Sequence, residues 1–292
     1  MKIKKSIGEQ LFDGFNILFM FFMIVICAYP LVYVIFGSFS EASKLIQVSG
    51  ILWKPAGLSL EGYKVVFANE DLLSGYLNSI YYIVMGTSLS LLAKCFMAFN
   101  LSRPYLKHNK WIMKFMMVTM FFGGGLIPTF LVLKALGFYG SRWAVILSGL
   151  MSIYNLIVLK TSFDAVPHSL EESARIDGAG SMTVLFRIII PLSMAAIAVQ
   201  ILFTGVGIWN SWFTAMIYLK DRRKFPIQLI LREILMDGKT GAGKVAATED
   251  VEGFSDVIKY ATIVVTMVPI ICVYPFLQKH FAKGVMIGAV KG

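Results

Sequence analysis

The sequence predicts an all-α polytopic membrane protein with six transmembrane helices, and three observations support this fold class. Of the 292 residues, 57% are hydrophobic and 15% are charged. The mean hydropathy of +0.73 exceeds that of ordinary soluble domains. Six apolar stretches are each long enough to cross a hydrocarbon core of about 30 Å. Because lipid offers no hydrogen-bond partners to the backbone, each stretch should be an α-helix.

The six predicted spans belong to a single transmembrane domain that covers residues 1–292. They are residues 15–36, 77–99, 111–133, 143–159, 188–218 and 257–277. The first span follows the basic sequence MKIKK, but it is too long for a signal peptide and no A-x-A site follows, so we expect a retained helix. In the third span, residues 123–125 (GGG) and Pro128 predict a kink or, alternatively, a tight helix crossing.

Charge around the spans indicates the topology. An even number of spans places both termini on one side, and Lys2, Lys4 and Lys5 indicate that this side is the cytoplasm. The gap between the second and third spans agrees, with Arg103, Lys107, Lys110 and Lys114. The chain is thus expected in the cell (inner) membrane, with residues 161–187 cytoplasmic and residues 38–76 and 220–256 as external loops. Basic residues within 220–256 oppose this topology.

The composition also argues against several functions. The net charge of +10 is spread between the apolar runs, which argues against a nucleic-acid surface. The cysteines lack ligand spacing, and the histidines are scattered along the chain. No Ser/His/Asp or Cys/His arrangement occurs, and no carboxylate pair lies within a span. We therefore expect neither a catalytic site nor a metal site in this chain.

Residues 161–187 form the polar segment that carries the functional prediction. Ser169 and Glu172 fit a capping box after Pro167, which predicts a short helix from about Leu170. Gly178 is placed to end that helix. Its small residues leave a shallow surface, with charges expected at the rim from Glu171, Glu172, Arg175 and Asp177. Such a helix either docks into a groove of a partner or rests on the membrane surface.

The run Glu172-Ser173-Ala174, followed by Asp177-Gly178-Ala179 and later by Pro191, resembles the EAA loop of binding-protein-dependent ABC importer permeases. Ser173 replaces the first alanine of the usual triplet, which exchanges one small residue for another. Four further stretches resemble carbohydrate importers of the maltose type, in the LplC-like branch. They are residues 29–33 (YPLVY), 124–129 (GGLIPT), 209–213 (WNSWF) and 288–292 (GAVKG).

This resemblance implies the fold and the partners of a maltose-type ABC importer permease. The partners would be a second homologous permease, two ATPase subunits, an extracytoplasmic solute-binding protein and an oligosaccharide substrate. ATP and Mg²⁺ would bind to the ATPase, so this chain would need no cofactor. In the family, the EAA loop forms a coupling helix in a cleft of the ATPase, which implies ATPase contact by Glu172, Ser173, Ala174, Asp177, Gly178 and Ala179. A bulky residue in place of Gly178 should uncouple transport without unfolding the protein.

The C-terminal tail is a second expected ATPase contact. By composition it would be a disordered end, but in relatives of the maltose type the corresponding tail reaches into the ATPase dimer. The residues concerned are Gly288, Ala289, Val290, Lys291 and Gly292. In the last external loop, residues 238–244 (GKTGAGK) imitate a phosphate-binding loop, but Val245 replaces the hydroxyl that would hold Mg²⁺. We expect that loop to contact the binding protein instead.

Five residues of the fifth span are candidates for the substrate pathway. Aromatic faces beside an amide suit a sugar ring, although an interfacial aromatic belt would give the same pattern. Gln200, nearer mid-span, requires an interior partner. The candidates are Gln200, Trp209, Asn210, Trp212 and Phe213. Lys94 and Lys259 also lie in apolar segments, and we expect both ammonium groups to reach the membrane surface by snorkelling.

The predicted function is that of a permease subunit that admits a carbohydrate, expected to be an oligosaccharide, in an ABC importer. A permease for a non-sugar solute is an alternative within the same class. An ion-coupled secondary transporter would need acidic pairs within the spans or inverted repeats, and a membrane enzyme would need clustered catalytic groups. Neither pattern is visible. Acidic and basic residues of the 220–256 loop balance, so that loop indicates no charge preference for the substrate.

Overall fold

The structure is a computed structural model that describes residues 6–103, 106–237 and 251–289. Within these ranges every regular element is helical, which confirms the all-α prediction. The helices are α1 (Ile7–Ser38), α2 (Ala42–Leu45), α3 (Glu61–Ala68), α4 (Glu70–Leu101), α5 (Asn109–Phe121), α6 (Leu126–Ala135), α7 (Arg142–Ser148), α8 (Ile153–Asp164), α9 (His168–Ile176), α10 (Ser181–Val184), α11 (Ile190–Leu192), α12 (Met194–Trp209), α13 (Trp212–Tyr218), α14 (Ile227–Asp237) and α15 (Val251–Ala289). A π-helical turn (Leu185–Ile189) precedes α11, and a 3₁₀ turn (Arg222–Lys224) precedes α14.

Three of these helices can cross a membrane unaided, and three helix pairs can cross as bent units. The straight spans are α1, α4 and Gly253–Cys272 within α15. The bent pairs are α5 with α6 at 115°, α7 with α8 at 57°, and Ser181–Leu192 with α12 at 84°. The described residues therefore contain three clear spans, or up to six if each bent pair counts as one.

The sharpest bend lies at the glycine run of the third predicted span. α5 ends before the run and α6 begins after it, and Gly125 has a φ of +84°, which favours glycine. A Cβ added at Gly123 or Gly125 would meet no described atom within 4 Å. The break is therefore confirmed. A tight helix crossing, the alternative, is not seen at Gly123 or Gly125 within the described part of the chain.

The other two bends also have local causes. Between α7 and α8, Gly149 follows the first helix, and Ser152 caps the second by accepting a hydrogen bond from the Asn155 N–H at 3.4 Å. Before α12, Ser193 lies at the bend and Pro191 lacks the N–H that a regular helix would use. Short polar and proline signals thus interrupt apolar runs that otherwise have the length of a span.

The chain forms two compact units, and the first comprises Met1–Glu70 with Glu233–Met267. Leu45, Leu52 and Val257 form its core, against which Tyr33 and Tyr260 pack. No residue in the most apolar window of α1 is buried within the chain, so this surface is suited to lipid or to another subunit.

The second unit comprises Asp71–Arg232 with Val268–Gly292 and contains the candidate site. One hydrophobic cluster joins α4, α8 and the π-helical turn through Ala98, Leu156 and Leu185. A second cluster joins α4, α7 and α13 through Tyr82 and Ala215, among others. Because α4 contributes to both clusters, it is the scaffold on which this unit is organised.

Candidate functional site

The predicted docking segment forms two short helices, α9 and α10, which we call the coupling element (residues 168–184). α9 begins at His168 after an N-cap at Pro167, so it starts two residues earlier than predicted. Ser169 lies inside the first turn, and the predicted capping box is not formed. Pro167 is the N-cap of α9, and a residue that precedes a proline is disfavoured in the helical conformation, which favours a helix start directly after Pro167.

Gly178 ends α9 as predicted. Its φ of +86° is in the left-handed region. The N–H of Gly178 donates to the Arg175 carbonyl at 3.0 Å, and the N–H of Ala179 donates to the Ala174 carbonyl at 2.8 Å. These two bonds form a Schellman motif, which satisfies the last carbonyls of α9 and turns the chain towards α10.

The residues predicted to contact an ATPase separate into two faces of the coupling element. Glu172, Ser173, Asp177 and Gly178 are exposed. Ala174 and Ala179 are partly buried and pack against the hydrophobic cluster of α4 and α8. Ile176 is 85% exposed beside the acidic residues. The exposed surface of the coupling element therefore combines small and acidic side chains with three uncovered apolar groups, those of Leu170, Ile176 and Met182.

A buried ion pair fixes the inner face. Glu171 Oε2 lies 2.7 Å from Arg103 Nη1, with side-chain exposures of 6% and 1%. Arg175 also donates to Glu171 Oε1 at 2.9 Å, and the Arg103 guanidinium lies 4.7 Å from the centre of the Phe99 ring. The prediction that Glu171 lies at the rim is therefore wrong. The local sequence could not show this, because the ion-pair partner of Glu171 is Arg103, which follows α4 and is remote in sequence. The pair joins the coupling element to the end of α4.

A cavity of about 390 Å³ lies among α4, α6, α7, α8, α12 and α13. Its lining contains several hydroxyl groups and one amide beside exposed aromatic rings. The polar groups come from Tyr82, Thr129, Ser148, Ser152, Asn155, Thr204, Ser211, Thr214 and Tyr218, and the phenyl rings from Phe203 and Phe213. Hydroxyl and amide groups that hydrogen-bond, beside rings that stack, are the chemistry that binds carbohydrates.

Lys94 also lines this cavity, and the prediction that it snorkels is wrong. Its residue exposure is 1%, and its Nζ donates to Thr204 Oγ1 at 3.0 Å. Helical side chains lean towards the helix N-terminus, so a lysine near the C-terminal end of α4 points away from the nearer helix end. The predicted interior partner of Gln200 is present, since its Nε2 donates to the Asn155 carbonyl at 2.9 Å.

The structure places the other pathway candidates as follows. Phe213 lines the cavity. Trp209 is buried with its ring 6.1 Å from that of Tyr76, and the Trp212 ring lies 4.3 Å from the Arg232 guanidinium. Asn210 is exposed as the C-cap of α12. Gln200 is buried beside the cavity-lining Asn155.

Two predicted contact segments fall wholly or partly outside the described residues. The glycine-rich loop with residues 238–244 lies outside them, as do Val290, Lys291 and Gly292 of the tail. The backbone of Gly288 and Ala289 is helical as the end of α15. The irregular conformation expected from the composition therefore does not apply to the described part of the tail.

The loop after α13 is held against α4 by polar contacts. Asn78 Nδ2 donates to the carbonyls of Arg223 and Phe225 at 2.8 and 3.1 Å, and its Oδ1 accepts from Arg142 at 2.7 Å. Hydrogen bonds from Arg223 hold the pKa of Asp221 below its ordinary value. One buried amide thus fixes a loop onto the helix that lines the cavity.

Comparison with known proteins gives consistent matches over nearly the whole chain. Residues 4–287 match the family described as binding-protein-dependent transport system inner membrane component. The chain is 40% identical over 291 residues to the polygalacturonan/rhamnogalacturonan transport system permease protein YtcP of Bacillus subtilis (strain 168), which covers 99% of this chain and 100% of that protein. It is also 40% identical to protein LplC of the same organism, over 97% of this chain and 96% of that protein.

A solved structure gives the same result. The crystal structure of a bacterial ABC transporter involved in the import of the acidic polysaccharide alginate contains a chain that matches this one with a TM-score of 0.87 and 27% identity. The match covers 96% of this chain and 100% of that chain. The similarity therefore includes the fold as well as the sequence.

Proposed function

Because the chain belongs to the binding-protein-dependent transport system inner membrane components, we propose that its coupling element transmits ATP-driven movement from an ATPase to the cavity. The chain is an integral membrane permease of an oligosaccharide ABC importer, as the sequence predicted. It belongs to a family of transport components rather than enzymes. We further propose that it carries no catalytic site, and that ATP and Mg²⁺ are bound by the partner.

The proposed assembly contains this chain, a second homologous permease, two ATPase subunits and a solute-binding protein outside the cytoplasm. The observation that carries the proposal is the division of the coupling element into two faces. Its outer face, with Ser173, Asp177 and Gly178 exposed, is shallow and available to a partner. Its inner face is fixed to the protein by the ion pair between Glu171 and Arg103. A force that a partner applies to the outer face would therefore be transmitted through this ion pair to the end of α4.

Two helices lead from the coupling element to the cavity. Arg103 follows α4, on which Lys94 lines the cavity nine residues earlier, a distance of about 14 Å at about 1.5 Å per residue. α8 begins near the cavity with Asn155 and ends just before α9. Movement of the coupling element would therefore shift two walls of the cavity together. Such a movement would exchange inward and outward access as a two-state change.

The proposed docking is tested by a tryptophan at position 173. Ser173 is exposed in the middle of α9, so Ser173→Trp adds bulk to the outer face without disturbing a buried contact. We expect this variant to reach the membrane in normal amount but to lose at least 90% of both ATPase co-purification and sugar uptake. Affinity purification in detergent followed by mass spectrometry measures the associated subunits. Gly178→Trp is a less direct test, because a φ of +86° strains any side chain there.

The matched control is Ser49→Trp, which makes the same change at an exposed serine in the predicted external loop. This control should retain the ATPase in the purified complex. Normal ATPase binding by Ser173→Trp, or a purified wild-type complex without any ATPase, would refute the proposed docking.

A further inference from the structure

One stripe of α4 faces the cavity and ends in a buried cation. Tyr82, Gly86, Ser90 and Lys94 follow each other at four-residue spacing, which aligns them on one face of the helix. Tyr82, Gly86 and Lys94 line the cavity. A Cβ added at Gly86 would stand 2.7 Å from Ile208 Cδ1, so this glycine lets α4 approach α12 closely. The stripe is thus a built wall of the cavity rather than a lipid-facing surface.

The charge of Lys94 has no counter-charge within the described part of the chain. Lys94 is the one charged side chain among the described residues that line the cavity. Its ammonium has three donors, and the acceptor that the structure places on it is Thr204 Oγ1 at 3.0 Å. Isolated charges are costly in a membrane-spanning segment unless they are paired, and such residues mark substrate pathways. A cation held in this way lacks an anion.

We propose that Lys94 binds a carboxylate of the transported sugar, so that the substrate class is acidic oligosaccharides with uronate residues. This inference rests on the proposed function, in which the cavity admits an oligosaccharide. The hydroxyl groups of the lining and the Asn155 amide would bind the sugar hydroxyls, and the phenyl rings of Phe203 and Phe213 would pack on its apolar faces. Lys94 adds the one interaction that a neutral sugar cannot satisfy, and a site built for a charged partner discriminates against a ligand that lacks it.

The test uses the complete transporter reconstituted in ATP-loaded vesicles with its binding protein. Uptake is measured for two acidic probes, trigalacturonate and trimannuronate, and for two neutral probes, galactotriose and maltotriose. The wild-type complex should import at least one acidic probe. Lys94→Gln should lower its initial rate at least tenfold, whereas Lys94→Arg, which keeps the charge, should remain within threefold of wild type.

Two further variants separate a substrate contact from a structural role. Thr204→Val removes the protein acceptor of Lys94 and one hydroxyl of the cavity but keeps the cation, so its loss of acidic-probe uptake should be at least threefold smaller than that of Lys94→Gln. Lys259→Gln removes another lysine from an apolar helix, one that pairs with Asp256 at 3.0 Å, and should have no specific effect on acidic probes. Each variant is compared at equal amounts of assembled complex.

Three results would overturn the role of Lys94. They are import of neutral probes alone by the wild-type complex, wild-type rates with Lys94→Gln, and equal losses with Lys94→Gln and Thr204→Val. Each of them leaves the proposed coupling intact, since ATP-driven uptake would still be observed. A complex without an ATPase, or one that imports no carbohydrate, would instead contradict the proposed function itself.

Discussion

At the residue scale, Glu171 and Glu172 are neighbours in the sequence but have opposite environments. Glu172 is exposed on the outer face of the coupling element, whereas Glu171 is buried against Arg103. Their order in the chain gives no sign of this difference, because both fit the acidic start of a helix. The local sequence could identify the element, but it could not identify which glutamate holds the element in place.

We predict that Glu171→Leu lowers the free energy of unfolding by about 3–5 kcal/mol, because it leaves the Arg103 guanidinium buried without its counter-charge. Thermal unfolding of the detergent-solubilised protein measures this change. The control is Glu172→Leu, an exposed position where substitutions usually cost no more than about 0.5 kcal/mol.

A double-variant cycle completes the test of this ion pair. Arg103→Met combined with Glu171→Leu removes both charges, so the double variant should be more stable than the sum of the single effects predicts. Strict additivity of the two substitutions would show that the ion pair contributes no coupling.

The direction of the Lys94 side chain was also beyond residue-level prediction from composition. Hydropathy places this lysine near the end of a span, and distance alone favours snorkelling. The decisive factor is helix polarity, since the side chain leans back along α4 towards its N-terminus. The four-residue spacing from Tyr82 to Lys94 was the signal in the sequence that could have indicated a cavity wall.

At the element scale, the contact between α4 and α14 depends on the absence of a side chain at Gly75. A Cβ there would stand 2.6 Å from Ile230 Cδ1 and 3.2 Å from Ile227 Cα. The second neighbour is backbone, which cannot rotate away as the end of a side chain can. The packing of these two helices should therefore be sensitive to any side chain added at Gly75.

We predict that Gly75→Val destabilises the protein by about 1–3 kcal/mol, the usual cost of overpacking. The melting temperature in detergent measures this loss. Gly14→Val is the matched control, because a Cβ at this glycine of α1 meets nothing within 4 Å. Equal melting temperatures for the two variants would contradict the described packing of α4 on α14.

The helices themselves could largely be predicted, because apolar length is a strong signal in a membrane protein. The glycine run also predicted the break between α5 and α6. The bends at residues 149–152 and at Ser193 were not predicted, because their local signals are weak and their angles depend on packing. The start of α9 was misplaced for a similar reason, since Pro167 and Ser169 offered competing signals.

At the scale of the whole molecule, the orientation in the membrane remains a prediction from charge. We expect position 107, in the basic gap after the second span, to face the cytoplasm, and position 49 to face outwards. In a variant without the native cysteines, an impermeant maleimide should label Lys107→Cys in inside-out vesicles and Ser49→Cys in right-side-out vesicles. Both positions are exposed, so accessibility within the chain does not limit labelling.

Vesicles opened with detergent provide the control, since both cysteines should then be labelled equally. Labelling of Lys107→Cys in right-side-out vesicles would show that the topology is opposite to the predicted one. It would also place the coupling element away from cytoplasmic ATP.

The coupling element could be predicted because its signals lie within a few consecutive residues. The cavity could not, because its walls come from helices spread between Tyr82 and Tyr218 and meet only in the folded chain. The family resemblance suggested partners, but it gave no account of the ion pair between Arg103 and Glu171. Local signals therefore predicted the short helix and its glycine end, whereas the contacts that lead from this element to the cavity required the structure.

α4 is continuous from Glu70 to Leu101, while three neighbouring spans are bent. A stiff rod carries displacement equally well in both directions. Thermodynamic linkage requires that two sites influence each other's affinity by the same factor. If binding of the ATPase subunits changes the affinity of the cavity for sugar, then sugar in the cavity changes the affinity of the permease for the ATPase subunits by the same factor. The sugar-free and the sugar-bound permease should accordingly differ in their affinity for the ATPase subunits.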